Sequence, residues 1–327
     1  MQKAARIVVP MAAVATVALL PTAAMPQAGT YPEKVIRLVV PFPPGGAIDI
    51  MGRLTAQKLS EALGTQVIVD NRSGAGGAIG TDNVARAAPD GYTLLVSSTS
   101  PMSINPHINK VPYDPVASFV AIALIASSPQ MIVVPPSLPV KNVKDFIALA
   151  NARPGAMSFA SSGVGTIIHV TAEMFSQRAG IKMLHVPYKG AAPAVVDTVA
   201  GHVTLLTAAY SSVAPQVRAG RLRALAVTSL KRMELEPGVP TVAESGLPGF
   251  ESIQWWAVSG PAGLATSIID RLNTELNRVV GTDDMRRRLA ADGAEPGGGT
   301  PAALAAFIRK DYEKWGAVIR AVRMKAE

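Results

Sequence analysis

Short apolar runs alternate with segments whose apolar residues recur three and four positions apart, almost throughout the chain. Residues 35–40 are rich in β-branched side chains and lead into Pro41-Phe42-Pro43-Pro44-Gly45-Gly46. Residues 47–63 then place Ile48, Met51, Leu59 and Ala62 on one helical face, and Gly64 supplies the stop. Residues 66–70 read as a second strand. A Gly-rich turn leads from there to a helix near 79–88, Pro89-Asp90-Gly91 is a turn, and 92–97 a third strand. A new group begins at 131–134. Asn142 and Asp145 mark a capped helix start and Pro154-Gly155 its stop. Residues 157–160 form a strand that runs into Ser161-Ser162-Gly163-Val164-Gly165-Thr166, and the next helix carries Ile168, Ala172, Phe175 and Ala179 on one face. Residues 183–186, 203–207 and 222–227 are further strands. Two amphipathic helices follow near the end. One is lined by Ile269, Leu272, Leu276 and Val279. The other starts at Thr300-Pro301 and is lined by Leu304, Phe307, Ile308, Trp315 and Ile319. Such alternation predicts a parallel or mixed α/β fold.

Composition changes that picture mainly at the start of the chain. Lys3 and Arg6, an apolar run from Ile7 to Leu20, then Pro21 and small residues have the order of a secretory leader, with cleavage expected after Ala24 or, better, Ala28. The run is too short for a membrane anchor, and no later stretch reaches that length. The chain has no cysteine, which rules out a lipid-anchored cysteine, disulfides, thiolate metal sites and cysteine nucleophiles. Among the 327 residues, 49% are hydrophobic and 17% charged, enough for one large or two ordinary domains with real cores. The formal charge is +8; without Lys3 and Arg6, 29 basic residues face 23 acidic ones, a balance of +6. The basic residues are scattered except for Arg286, Arg287 and Arg288, which sit with Asp283 and Asp284 as a solvated helix face. With export added, this argues against a nucleic-acid partner and suits attraction of anions.

The candidate chemistry lies in repeated strand–tight loop–helix units. A helix start offers free N–H groups and the positive end of the dipole, and glycine lets a ligand approach that backbone. Gly45-Gly46, Ser98-Thr99 and the loop from Ser161 to Thr166 are three such turns, each able to hold a carboxylate without a lysine or arginine. On parallel strands they converge at the strands' carboxyl ends. His169, one turn into its helix, faces either ligand or an interlobe surface. Asp49 and Asp197 read as residues near helix starts, serving as caps or as ligand contacts. Of Trp255 and Trp256, strand geometry puts one in the core and the other near a lobe boundary. Gly74, Gly76 and Gly80 have the spacing GxGxxxG, not the dinucleotide fingerprint. No P-loop, HExxH or GxSxG occurs, and His107, His169, His185 and His202 have no metal-site spacing. No cofactor is expected. Val186-Pro187-Tyr188 before Lys189-Gly190 echoes Val40-Pro41-Phe42, as two similar lobes would.

These residues carry a resemblance. The segment from Val40 to Gly46 with Asp49, then Asn71-Arg72-Ser73-Gly74-Ala75-Gly76-Gly77, then Pro89-Asp90-Gly91-Tyr92, resemble the Bug-type receptors of tripartite tricarboxylate transporters. So do Ser161 to Thr166 with His169, Val186 to Gly190 with Pro193 and Asp197, Ala219 to Thr228, Pro240 to Glu244, and Lys314-Trp315. The resemblance implies a two-lobed periplasmic binding protein fold (type II, Venus-flytrap), each lobe a mixed β-sheet flanked by helices, with two interlobe crossovers. After a leader over 1–28, the first lobe would hold 29–130 and 253–327 and the second 131–252. It implies a non-enzymatic periplasmic monomer that closes on a small carboxylate and delivers it to an inner-membrane permease. The implied ligand contacts are Phe42, Pro43, Pro44, Gly45 and Gly46 on one side, to which the reading of the turns adds Asp49, Ser98 and Thr99. Across the cleft they are Ser161, Ser162, Gly165, Thr166, His169, Tyr188 and Asp197. Dicarboxylates, citrate-like acids, amino acids and aromatic acids all remain open as ligands, and a sensor receptor or an exported hydrolase using the same cleft are the alternatives. Thr204 stands where the family often has Asp, and Gly52 where Ala is usual.

Overall fold

The β-branched run before Pro41 forms the first of ten strands among the described residues, β1 (Ile36–Val40), and the helix after it, α1 (Ala47–Leu63), ends at Gly64 with left-handed φ of 65°. In this computed structural model the described residues are 31–322 and 324; the leader expected over 1–28 lies outside them. After α1 come β2 (Val67–Asn71), α2 (Ala78–Ala85), β3 (Thr93–Ser98), a π-helical turn over Ser100–Ile104, and α3 (Asn105–Ile108). The middle of the chain holds β4 (Phe119–Val134), α4 (Val143–Ala152), β5 (Ser158–Ser161), α5 (Ile167–Ala179), β6 (Leu184–Pro187), α6 (Ala191–Val199), β7 (Leu205–Ala209), α7 (Tyr210–Arg218) and β8 (Arg223–Val227). The last part holds β9 (Ile253–Pro261), α8 (Thr266–Val280), α9 (Asp283–Ala291), β10 (Glu295–Gly298) and α10 (Pro301–Ala321).

The strands lie in the order β2-β1-β3-β9-β4-β7-β5-β6, with β8 and β10 also paired to β4. Strands β1, β2 and β3 are mutually parallel, as are β5, β6 and β7, while β9 runs antiparallel between β3 and β4. The fold is thus a mixed α/β sheet with two parallel arms joined through β4. Strand β4 has 16 residues, about 50 Å of chain, and it changes partners midway. Phe119 to Pro129 pair with β9, and Gln130 to Val134 pair with β7 and β8. Pro129, which has no N–H to donate, stands at that change. The new group read as starting at 131 is therefore the second half of a longer strand.

A second passage between the arms runs through Ser252 into β9, beside the first. Gln130 Nε2 donates to Thr171 Oγ1 at 2.8 Å, the Thr171 and Ser252 hydroxyls are 2.6 Å apart, and Gln130 N donates to Thr228 Oγ1 at 2.8 Å. All four side chains are buried. The two passages are pinned to one another by hydrogen bonds instead of apolar packing.

Helix α10 touches both arms. Leu304 and Ile308 pack with Val39, Leu95 and Trp255, whereas Trp315 and Ile319 pack with Met131, Leu206 and Tyr210. Gln177 Nε2 donates to Ala321 O at 2.9 Å.

Gly52 is buried in α1, not exposed. A Cβ there would lie 2.6 Å from Val40 Cγ2 and 3.4 Å from Val96 Cγ2. The usual alanine would gain about 1 kcal/mol of helix propensity but would push α1 off the sheet, an overpacking cost of about 1–3 kcal/mol. Gly52→Ala should therefore lower stability by about 1 kcal/mol in urea denaturation. A more stable variant would show that Val40 can turn aside. Thr204 serves the strands: its Oγ1 donates to Ser158 O at 2.6 Å and accepts from Ser158 N at 2.8 Å. It does not line the cleft described next.

Candidate binding cleft

Four helix starts converge on one cleft of about 60 Å³. Gly46, Ala47 and Ile48 come from α1, Ile167 and Ile168 from α5, Ala191 from α6, and Ala209 and Ser212 from α7. Phe42, Pro43 and Ser162 border it, and Ser98, Thr99 and Ser100 follow β3 into it. Gln254, Trp255 and Trp256 of β9 complete the lining. No acidic, basic or histidine side chain lines it.

The helix starts of the fold are of two kinds, with and without a side-chain cap. Helices α4, α9 and α10 are capped by Asn142, Thr282 and Thr300, whose side chains accept a backbone N–H. At α1, α6 and α7 the cap residues are Gly46, Gly190 and Ala209, and none makes a side-chain cap. First-turn N–H groups of a helix have no partner within it, so these three starts turn uncapped donors and positive dipole ends toward the cleft. At α5, Thr166 Oγ1 accepts from His169 N at 3.4 Å, and Ile167 N donates to Ser100 Oγ at 3.0 Å, a bond across the cleft. An anion with an apolar body fits such a lining: dipoles and hydroxyls for the charge, Ile48, Ile167, Ile168 and the tryptophans for the rest.

The loop before α1 is shaped by an internal brace. Gly45 has φ of 90°, which glycine adopts without strain. Asp49 Oδ2 accepts from Gly45 N at 3.1 Å and from Arg53 Nε at 3.0 Å, and its Oδ1 accepts from Asn71 Nδ2 at 2.9 Å. The same Asn71 Nδ2 donates to Phe42 O at 3.0 Å. Burial raises the Asp49 pKa, but the Arg53, Asn71 and Gly45 donors outweigh it and hold the carboxyl below its usual range. Asp49 is a positioning residue with its oxygens already engaged. Asp49→Ala strands three donors, so we expect a stability loss of about 1–3 kcal/mol and about tenfold weaker ligand binding by calorimetry. Unchanged affinity would mean that the loop holds its shape without the brace.

Of the residues singled out from sequence, Phe42, Pro43, Gly46, Ser98, Thr99 and Ser162 line the cleft. Pro44 and Gly45 belong to the loop but do not line it. Ser161 Oγ lies 2.7 Å from His185 Nε2 and accepts from Gly163 N at 3.1 Å. Gly165 N donates to His169 Nδ1 at 3.4 Å, and the buried His169 ring stacks on His185 at 3.8 Å. These residues shape the second loop from behind. Asp197, expected near a helix start, lies in the last turn of α6, where a dipole-compensating role is lost. It accepts the Tyr188 hydroxyl at 2.7 Å; burial and this neighbour push the Tyr188 pKa up to about 12.

Sequence reading missed Ala191, Ala209, Ser212, Ser100 and Gln254. It took Ile48 and Ile168 as core-facing. Both tryptophans are buried and both line the cleft, where one had been expected in the core and the other at a lobe boundary. The uncapped Gly190 before an apolar helix was the one local signal that could have brought in Ala191.

Residues 51–324 match the profile of the tripartite tricarboxylate transporter family receptor. The chain is 39% identical to protein BugT of Bordetella pertussis over 300 residues, 91% of this chain and 92% of BugT. The structure of R. palustris Rpa4515 with adipate superposes with a TM-score of 0.89 at 35% identity, over 91% of this chain and all of that one. MatC from Rhodopseudomonas palustris with bound malate gives a TM-score of 0.85 at 28% identity, over 88% of this chain and all of MatC. Among the described residues no helix is long and apolar enough to cross a membrane. With the profile covering most of its length and the two-armed fold shared with these solved structures, the chain belongs to the tripartite tricarboxylate transporter receptor family.

Proposed function

We propose that this protein captures a small carboxylate in the periplasm by closing two lobes on it, and passes it unchanged to a membrane permease. The observation that carries this reading is the convergence of three uncapped helix starts on a cleft with no charged side chain. One carboxylate satisfies those donors; a cation would meet positive dipole ends. The adipate and malate held by Rpa4515 and MatC support the same ligand class. The lobes are residues 29–130 with 253–327, and 131–252. The partner change of β4 at Gln130 and the start of β9 at Ile253 support these bounds.

Phe42, Pro43, Gly46, Ser98, Thr99 and Ser162 touch the ligand, and Gly45, Asp49, Ser161, Gly165, Thr166 and His169 hold the two loops. The lining supports capture without chemistry: hydroxyls are present, and none of the side chains lining the cleft is a histidine, carboxylate or lysine that could serve as their general base. Closure requires the ligand to bind the closed form more tightly than the open one.

The test is a thermal-shift screen of the mature protein against carboxylates, with each hit recovered and weighed by mass spectrometry. A ligand at 100 times its Kd adds about 2.7 kcal/mol of stability. An intact hit supports capture. A hit that is consumed replaces the receptor reading with an enzyme, and a panel without hits removes the carboxylate.

A further inference from the structure

A second, larger cleft shares Phe42, Pro43 and Ser162 with the first and has a volume of about 590 Å³. Its chemistry is different. Two lysines line it, one from each arm: Lys110 follows α3, and Lys189 lies in the turn between β6 and α6. Both side chains are exposed, and neither is ion-paired among the described residues. No aspartate or glutamate lines the cleft.

The floor is held rigid. Asn105, fully buried, donates from Nδ2 to Ala75 O at 2.7 Å and accepts from Asn109 Nδ2 at 2.7 Å. Ala75 is the only non-glycine with positive φ among the described residues, at 48°. Such a conformation persists where the surroundings over-determine it. At Gly76 a Cβ would lie 2.8 Å from Val164 O, so the two arms touch along this floor. Two ammonium groups without acidic partners over a fixed polar floor are an unfilled demand for negative charge.

We propose that this outer cleft is a second anion site, which takes a carboxylate or phosphate group between Lys110 and Lys189. Because one lysine comes from each arm, an anion there favours the closed arrangement, in addition to any ligand in the inner cleft. The group has two possible sources: a free anion such as phosphate, or the far carboxylate of a long diacid whose other end lies in the inner cleft. The second source rests on the carboxylate reading of the inner cleft; the first does not.

The experiment compares the mature protein with Lys110→Gln/Lys189→Gln and with Gly46→Val, whose change lies in the inner cleft. Inorganic phosphate is titrated by ³¹P line broadening, and straight-chain diacids of increasing length, each with its matched monoacid, by calorimetry. For a free anion, phosphate binds saturably to the parent and to Gly46→Val, and at least tenfold more weakly to the double lysine variant. For a far carboxylate, diacids lose at least tenfold in the double variant while the monoacids are unchanged. The proposal is overturned if neither phosphate nor any diacid distinguishes the double variant from the parent by more than twofold. Failure of the inner-cleft reading looks different, since Gly46→Val would then bind acids normally.

Discussion

Gly46→Val should abolish capture of the carboxylate and leave the fold standing. The backbone at Gly46 is extended, with φ of −89° and ψ of 166°, a conformation that valine adopts readily. A Cβ there would lie 3.6 Å from the Cβ of Ala191, an ordinary contact. The two methyl groups beyond it have no such room. They enter the gap between the starts of α1 and α6, where both helices present uncapped N–H groups to the cleft. Affinity should fall at least about 100-fold, about 2.7 kcal/mol, while the denaturation midpoint stays within about 0.5 kcal/mol of the parent. Gly46→Ala, which adds only the tolerated Cβ, should lose less than tenfold. A valine variant that binds normally would remove the first loop from the site. One that unfolds would show that the α1–α6 contact is structural, and the alanine variant would then decide the binding question.

Trp255→Ala should produce the largest loss of stability in the molecule, about 4 kcal/mol, and take binding with it. The indole is buried in a cluster with Val39, Leu95, Leu304 and Ile308 and meets Phe307 edge-on at 5.7 Å, and Trp255 also lines the cleft. Its Nε1–H donates to Asp311 Oδ2 at 2.7 Å. Truncation leaves a cavity and strips a buried carboxyl of its donor. Burial already raises the Asp311 pKa, against the opposing pull of the indole. A carboxyl whose folded pKa is raised favours folding below its unfolded pKa and loses that contribution as pH rises through the folded value. Removing the indole extends the rise, so the deficit of the variant should be greater at pH 7 than at pH 4. Trp255→Phe, which fills most of the space, should recover more than half of the loss. A deficit under about 1.5 kcal/mol, independent of pH, would mean that the site collapses around the alanine and that Asp311 finds other partners.

What the sequence made legible follows the range of the forces involved. Helix α1 was readable at both ends because an apolar face, a glycine loop and a C-terminal glycine all act within a few residues. The same holds for Asn142, whose side chain caps α4 as expected, accepting from Asp145 N at 2.9 Å. The first twelve residues of β4 were invisible. Ala121, Ala123, Ala126, Ser127 and Ser128 carry no alternation, and two register shifts against β9 disturb what alternation there is. Their strand character comes from partners more than a hundred residues away. Helix α7 was hidden by Pro215 within it, and β10 by Pro296, Gly297 and Gly298, which pair with β4 only because α8 and α9 bring them there.

The site divides the same way. The glycine loop before α1 and the serine–glycine loop before α5 announce themselves locally. The floor of the cleft does not: Gln254, Trp255 and Trp256 reach it because β9 inserts between β3 and β4. Ser100 reaches the start of α5 across 67 residues of sequence. Of the alternatives left open for Asp49, its hydrogen bonds fit the one that holds the loop, and the His169 ring likewise accepts from Gly165 N behind its own loop.

Helix α10 has an unusual vantage point on the two arms. Its first half is seated on one arm and its second half on the other, with Arg320 exposed near its end. Any hinge motion that parts the arms must shear this helix against one of its two seats. A dye attached through Arg320→Cys, the only thiol in a cysteine-free chain, would sit where that shear is delivered, which makes this scaffold a ready basis for an optical acid sensor. For the same reason, a purification tag or fused partner at this end would load the hinge, whereas the turn at Pro89-Asp90, exposed at both residues and far from α10 in the chain, offers a quieter place to attach one.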